Sequence, residues 1–149
     1  IGDNVFINNP LIMEKKITIS PIFDAPYNVY RNWPQHVFEK IVAEYSTDEY
    51  KDYEKIICGM EHFKERCTFP GWKYSSNFME NIKHIMTTEI FVGGDTGTSH
   101  FAWSLQRAPQ KLIYYNSSRG LLHCLPFHLM EGRGKMVRYW LDCEGTTWE

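Results

Sequence analysis

The chain has 149 residues, 43% hydrophobic and 23% charged, enough for one domain with a buried core and too few for two of ordinary size. A formal charge of −2 argues against a nucleic-acid partner, and no run approaches the roughly 18 apolar residues of a membrane span. The opening IGDNVFINNP lacks the charged and apolar regions of a signal peptide, so a cytoplasmic protein is expected; because it begins on Ile1 and reaches a strand-like run early, it also reads as a piece of a longer protein.

In chain order, Ile17 to Ile22 is a short apolar run that ends in the aromatic, Pro-rich loop FDAPYNVYRNWP, which predicts a strand leading into a long loop. Pro34 suits the first turn of a helix. Val37, Phe38, Ile41, Val42 and Tyr45 then recur at helical spacing, predicting a helix from about Pro34 to Tyr45. The run KIICGM reads as a second strand ending at Gly59, and Glu61 to Tyr74, broken by Pro70 and Gly71, reads as irregular. Asn77 and Glu80 form a capping pattern ahead of Phe78, Ile82, Ile85 and Met86, a second helix. EIFVGG predicts a strand, SHFAWSLQR a helix and KLIYYNSS a further strand. Past Gly120 the pattern weakens, and MVRYWLD fits a short strand or a short helix. Alternating strands and helices indicate an α/β domain with a mainly parallel sheet. We take residues 17–118 as its core and 119–149 as a C-terminal extension of undetermined structure.

The chemistry concentrates in FVGGDTGTSH, Phe91 to His100. In a parallel sheet, ligands collect at the carboxyl ends of strands, where this segment places a glycine-rich turn and a helix start. Gly93, Gly94 and Gly97 permit positive φ and close backbone approach. The free amides at the start of the helix attract phosphate, Thr96, Thr98 and Ser99 add hydroxyls, and His100 stands one turn in as a donor. Asp95 would repel a diphosphate unless it faces sugar hydroxyls or holds the loop. An ordinary βα turn, with Asp95 or Thr98 capping the helix, would use the same residues.

Phe91 to Leu105, FVGGDTGTSHFAWSL, resembles the Asp-Ser/Thr-Gly-x-x-His-x-Ala signature of the lipopolysaccharide heptosyltransferases, ADP-heptose-type glycosyltransferases with two Rossmann-like domains (GT-B). The loop to RNWP with its helix, the strand ending in CGMEH and the helix from Asn77 to Thr87 follow in the family's order, so the resemblance spans roughly Ile17 to Ser118. It implies a Rossmann-like three-layer domain equivalent to the C-terminal, donor-binding half of such an enzyme. Asp95, Thr96, Gly97, Thr98 and His100 then hold the sugar and diphosphate of a nucleotide-diphosphate sugar. Glu61 matches an acidic residue on the ribose, Arg31 a family lysine facing the diphosphate, and Ser76 a position bordering the nucleobase. Glu61 and Arg31 otherwise read as solvated surface charges, Ser76 as a helix cap, and Trp33 as packing for its helix. The loop from Phe23 to Tyr30 is richer in Pro and Tyr than the hydroxyl-bearing family loop, which leaves the donor's identity open.

The resemblance implies metal-independent transfer with no cofactor, and the sequence lacks an Asp-x-Asp pair. It also implies a partner, an acceptor domain or second subunit that supplies the catalytic base, since only Asp24 and Glu131 offer themselves here and only by being acidic. A non-catalytic nucleotide- or nucleotide-sugar-binding module is the alternative. Cys58, Cys67, Cys124 and Cys143 form no close CxxC pair and are expected reduced; a metal site at His123, Cys124, His128 and Cys143 fits no zinc spacing well. A dinucleotide oxidoreductase would want glycines after the first strand, and SPIFDAP has none.

Overall fold

The computed structural model describes residues 12–25, 32–94, 96–105, 111–117, 135–141 and 147–148, with Trp103 and the last three segments described by backbone alone. The elements are β1 (Glu14–Ser20), α1 (Gln35–Glu44), β2 (Glu54–Cys58), β3 (Lys73–Ser75), α2 (Phe78–Thr87), β4 (Thr88–Gly93), α3 (Gly97–Ser104), β5 (Lys111–Ser117), β6 (Lys135–Leu141) and β7 (Thr147–Trp148). Short 3-10 turns occupy Asp48–Tyr50 and Glu61–Cys67.

The strands form one sheet in the order β3-β2-β1-β4-β5-β6-β7. All neighbours are parallel except the β6–β7 pair, so the chain is an α/β domain of Rossmann-like, three-layer type. The first six strands follow the order of doubly wound nucleotide folds, with the direction of winding reversing between β1 and β4. Successive side chains of β1 point to opposite faces. Ile17 and Ile19 join Val37, Phe38, Ile41 and Val42 of α1 in one core, with Ile57, Ile90 and Val92 from the flanking strands. Lys16 and Ser20, on the other face, bond to residues of α2 and α3.

Most predicted elements are present, with two differences. β1 begins at Glu14 and stops at Ser20, because Pro21 has no N–H for a ladder and because the charged start EKK is held in the sheet by ion pairs rather than by apolar burial. The stretch expected to be irregular contains a 3-10 turn and β3, whose three residues are too few to show a period. The part of MVRYWLD from Met136 to Leu141, which fits a strand or a helix by sequence, falls in β6, paired in register with β5 from Lys111↔Lys135 to Ser117↔Leu141, and Asp142 lies outside the described residues.

Helix α2 begins as its sequence requires, with the Asn77 side chain accepting from the Glu80 N–H at 3.0 Å. Trp33 is buried at the entry to α1, as expected of a large aromatic, and its backbone N–H donates to Ile22 C=O at 2.7 Å, closing the base of the β1–α1 loop. Cys58 and Cys67 are free, buried thiols; burial pushes Cys58 up to about 12 and Cys67 up to about 11, which keeps both protonated and inert at neutral pH.

At the amino end of the sheet, Lys16 is only 5% exposed yet remains well partnered. Its Nζ donates to Thr87 Oγ1 at 2.8 Å, lies 3.2 Å from His84 Nδ1, and pairs with Glu14 at 3.1 Å and Glu54 at 3.8 Å. This knot ties β1 to β2 and to the last turn of α2. Burial first, and then the Lys16 charge, hold His84 below its ordinary value of 6.5. Desolvation pushes Glu54 up, but the Lys73 hydrogen bond and the Lys16 charge outweigh it and hold the carboxyl below 4.5.

The unfolded chain therefore takes up a proton at His84 more readily than the folded chain, so this contribution to stability is complete above about 6.5 and is lost as pH falls through the folded value. Urea unfolding should show falling stability between about pH 7.5 and 5, a window above the Glu54 transition, and His84→Gln should flatten that slope. An unaltered slope in the variant would remove His84 as its source.

Gly93 ends β4 beneath α3. A Cβ there would stand 2.5 Å from Ser99 Oγ and 2.7 Å from the Phe91 ring, and Phe91 is fully buried. Gly93→Ala should cost about 1–3 kcal/mol by overpacking, read as a lowered midpoint in thermal unfolding. A variant as stable as the parent would mean that α3 does not depend on this close approach.

Candidate functional site

The carboxyl ends of β1, β2, β3 and β4 lie side by side at one edge of the sheet, and each carries a polar residue. After β2, the Met60 C=O accepts a hydrogen bond from Tyr74 OH, fixing the chain where the 3-10 turn begins. Glu61 follows at once. The Ser76 hydroxyl, just past β3, donates to its carboxylate. Two residues 15 positions apart, each assigned to the nucleoside by resemblance, are thus joined across neighbouring strand ends. Ser76 is not the cap of α2; Asn77 is.

After β4 the turn leads directly into α3. Thr96, rather than Asp95 or Thr98, is the N-cap, with extended φ of −145° and ψ of 170°. It makes no side-chain cap bond, because its hydroxyl is engaged elsewhere: Thr96 Oγ1 and Thr98 Oγ1 are 2.8 Å apart, and Thr98 Oγ1 and Ser20 Oγ are 2.9 Å apart. Three hydroxyls sharing two hydrogen bonds leave one O–H over, at Ser20, Thr96 or Thr98 according to which atom donates in each bond.

The first bond within α3 runs from His100 N–H to Thr96 C=O at 3.1 Å. The amides of Gly97, Thr98 and Ser99 precede it and have no acceptor inside the helix, which gives this end an anion-attracting character. Gly97 has nothing within 4 Å of where a Cβ would stand. The expectation of positive φ in this turn does not hold, since Gly71 is the only glycine with positive φ among the described residues. Of Gly93 and Gly97, Gly93 alone serves close approach, since a Cβ there would meet Ser99 Oγ, whereas one at Gly97 would meet nothing within 4 Å. His100 is half-buried on the first turn.

Between α2 and α3 lies a cleft of about 490 Å³, lined by Ser20, Thr96, Gly97 and Thr98 on the hydroxyl side and by Phe78, Ile82, Ile85 and Phe101 on the apolar side. Volumes of this order are typical of small-molecule sites. Ser20 and Phe78 were not singled out by sequence. For Ser20 the available signal was its place as the last residue of a central strand; its partner Thr98 is 78 positions away and no local pattern connects them.

Arg31 and Asp95 lie outside the described residues, as do Glu131 and the cluster His123, Cys124, His128 and Cys143. Asp24 is exposed beyond β1, with its Oδ2 4.0 Å from His62 Nε2. Nearby, the Arg66 guanidinium lies 3.8 Å from the centre of the Phe23 ring and its Nε donates to Gln35 Oε1 at 2.9 Å, bracing the β1 loop against the start of α1. Among the described residues no group of three or more His, Cys, Asp or Glu side chains is arranged to hold a metal ion, and no helix is long and apolar enough to cross a membrane. Comparison with protein-family models, curated proteins and solved structures finds no match to this chain.

Proposed function

We propose that this chain is the donor-binding domain of a heptosyltransferase-like glycosyltransferase of GT-B type, holding a nucleotide-diphosphate sugar whose glycosyl group passes to an acceptor hydroxyl. The observation that carries the reading is the Glu61–Ser76 pair at the ends of β2 and β3, set across the switch point from the amino end of α3. A carboxylate at the end of β2 accepts two hydrogen bonds from a ribose diol, the role acidic residues take in doubly wound folds. The amides of Gly97, Thr98 and Ser99, with His100 and the remaining hydroxyl of the Ser20–Thr98–Thr96 chain, supply donors for a diphosphate.

In transfer, the acceptor oxygen attacks the anomeric carbon, the bond from that carbon to the diphosphate breaks with its electron pair, and a base takes the acceptor proton. The α3 amides, His100 and Arg31 stabilise the departing nucleoside diphosphate electrostatically. The acceptor-binding surface and the base are assigned to another domain or subunit. The protein works in the cytoplasm on this reading, without a metal or other cofactor.

Glu61→Gln keeps an acceptor for Ser76 but removes the charge. It should weaken a nucleoside and its diphosphate alike by about 1–3 kcal/mol in titration calorimetry and leave inorganic pyrophosphate unaffected. His100→Ala should weaken pyrophosphate and nucleoside diphosphate together. Equal loss of pyrophosphate on Glu61→Gln would take Glu61 off the ribose. Absence of binding by any nucleoside diphosphate to the parent protein would end the reading.

A further inference from the structure

The proposed ligand contacts lie on two pieces of chain, the turn that begins at Glu61 and the start of α3, and a molecule that uses both binds well only if their spacing is fixed beforehand. One short segment joins the two. Ser20, the last residue of β1, shares a hydrogen bond of 2.9 Å with Thr98 on the first turn of α3. Three residues on, the Phe23 ring lies 3.8 Å from the Arg66 guanidinium and packs edge-on against the Phe63 ring at 5.1 Å, and the Asp24 carboxylate stands 4.0 Å from His62 Nε2. His62, Phe63 and Arg66 all belong to the 3-10 turn Glu61–Cys67, which Glu61 opens. The residues from Ser20 to Asp24 thus reach the phosphate contacts at one end and the ribose turn at the other.

Arg66 is the joint between segment and turn. Its Nε donates to Gln35 Oε1 at 2.9 Å while Gln35 Nε2 donates to the Arg66 C=O at 3.2 Å, so one amide at the first residue of α1 holds both the side chain and the backbone of Arg66. The guanidinium cannot swing off the Phe23 ring without giving up its bond to Gln35. Phe23 is held in turn by Phe38 of α1, fully buried and edge-on at 5.3 Å. Hydrogen bonds of 2.7 Å from the Trp33 N–H to Ile22 C=O and from the Ala25 N–H to Asn32 Oδ1 pin the chain on either side of Phe23 and Asp24.

We propose that Arg66 is a positioning residue: with Phe23 it locks the Ser20–Asp24 segment to the turn that carries Glu61, and so fixes the spacing between the ribose contact and the diphosphate contacts. The proposal rests on the nucleotide reading above and adds how its two halves are held in register. Arg66 itself touches neither ribose nor phosphate. Its loss leaves each half able to bind its own fragment. The penalty falls on a ligand that spans both, because two contacts joined by a covalent link reinforce each other only when their spacing matches the link.

The test is titration calorimetry of the parent and of Arg66→Gln with three probes: whichever of ADP, GDP and UDP the parent binds most tightly, the matching nucleoside, and pyrophosphate. Arg66→Gln should weaken the nucleoside diphosphate by about fivefold or more and leave the nucleoside and pyrophosphate within about twofold of the parent. Phe23→Leu keeps an apolar side chain but removes the face on which the guanidinium lies, and it should show the same pattern; it carries the test if circular dichroism shows that Arg66→Gln does not fold. A nucleoside diphosphate that binds both variants like the parent, or a loss shared equally by the nucleoside or by pyrophosphate, would overturn the positioning role while leaving Glu61 and the α3 amides in place. Failure of every nucleoside diphosphate to bind the parent would overturn it together with the function on which it rests.

Discussion

Parallel pairing of β1 with β2 on one side and β4 on the other is the constraint on which the remaining geometry depends. It sets Ile17 opposite Lys55 and Ile90, and Ile19 opposite Ile57 and Val92, so that a single short strand is covered on both faces and both edges. A shift of one residue would exchange the faces, sending Ile17 and Ile19 away from α1 and bringing Lys16 into an apolar core. The Lys16 knot at the amino end resists that exchange, since its partners Thr87, His84 and Glu54 lie on the other face and on the neighbouring strand. Whatever net energy the knot contributes, removing one partner would leave buried charge uncompensated, which is how such groups hold a register.

The same register aligns the carboxyl ends of four strands. Because winding reverses between β1 and β4, the chain leaves those two strands in opposite directions and opens a crevice between the connections. Ser20 and Thr98 meet in that crevice only because β1 and β4 end level, Ser20 opposite Gly93. Glu61 and Ser76 meet because β2 and β3 end level, Cys58 opposite Ser75. The proposed ligand contacts are thus products of pairing, with one set of polar groups on each side of the switch point and an apolar wall of α2 nearby.

Much of the scaffold was legible because local physics determines it. Val37, Phe38, Ile41 and Val42 cannot share a buried face except on a helix, Asn77 with Glu80 marks the start of α2, and the apolar runs around Ile56 and Phe91 suit strands covered on both sides. What was missed depends on partners distant in sequence. The start of β1 looks solvated until Glu54 and Thr87 are beside Lys16. β3 is a strand only because Ile56, Ile57 and Cys58 lie next to it. In the turn after β4, composition suggested positive φ and a cap at Asp95 or Thr98, whereas Thr96 caps the helix and Gly93 is required by the Ser99 side chain above it. Of the residues named from sequence, Glu61 and Ser76 meet across strand ends, Thr96, Gly97 and Thr98 line the cleft and His100 lies on the first turn of α3; Ser20 and the apolar wall of α2 were not named, since hydroxyl chains and clefts leave no local pattern.

On the proposed function, one bound molecule touches the end of β2 and the start of α3 at once. Backbone amide chemical shifts followed by nuclear magnetic resonance during titration with a nucleoside diphosphate measure this directly. Concerted shifts, with a common dissociation constant, are expected at Glu61 and Ser76 and at Gly97, Thr98 and Ser99, with little change at Lys16 and Thr87 at the opposite end of the sheet. Shifts confined to one of the two groups, or centred on the amino end of the sheet, would contradict it.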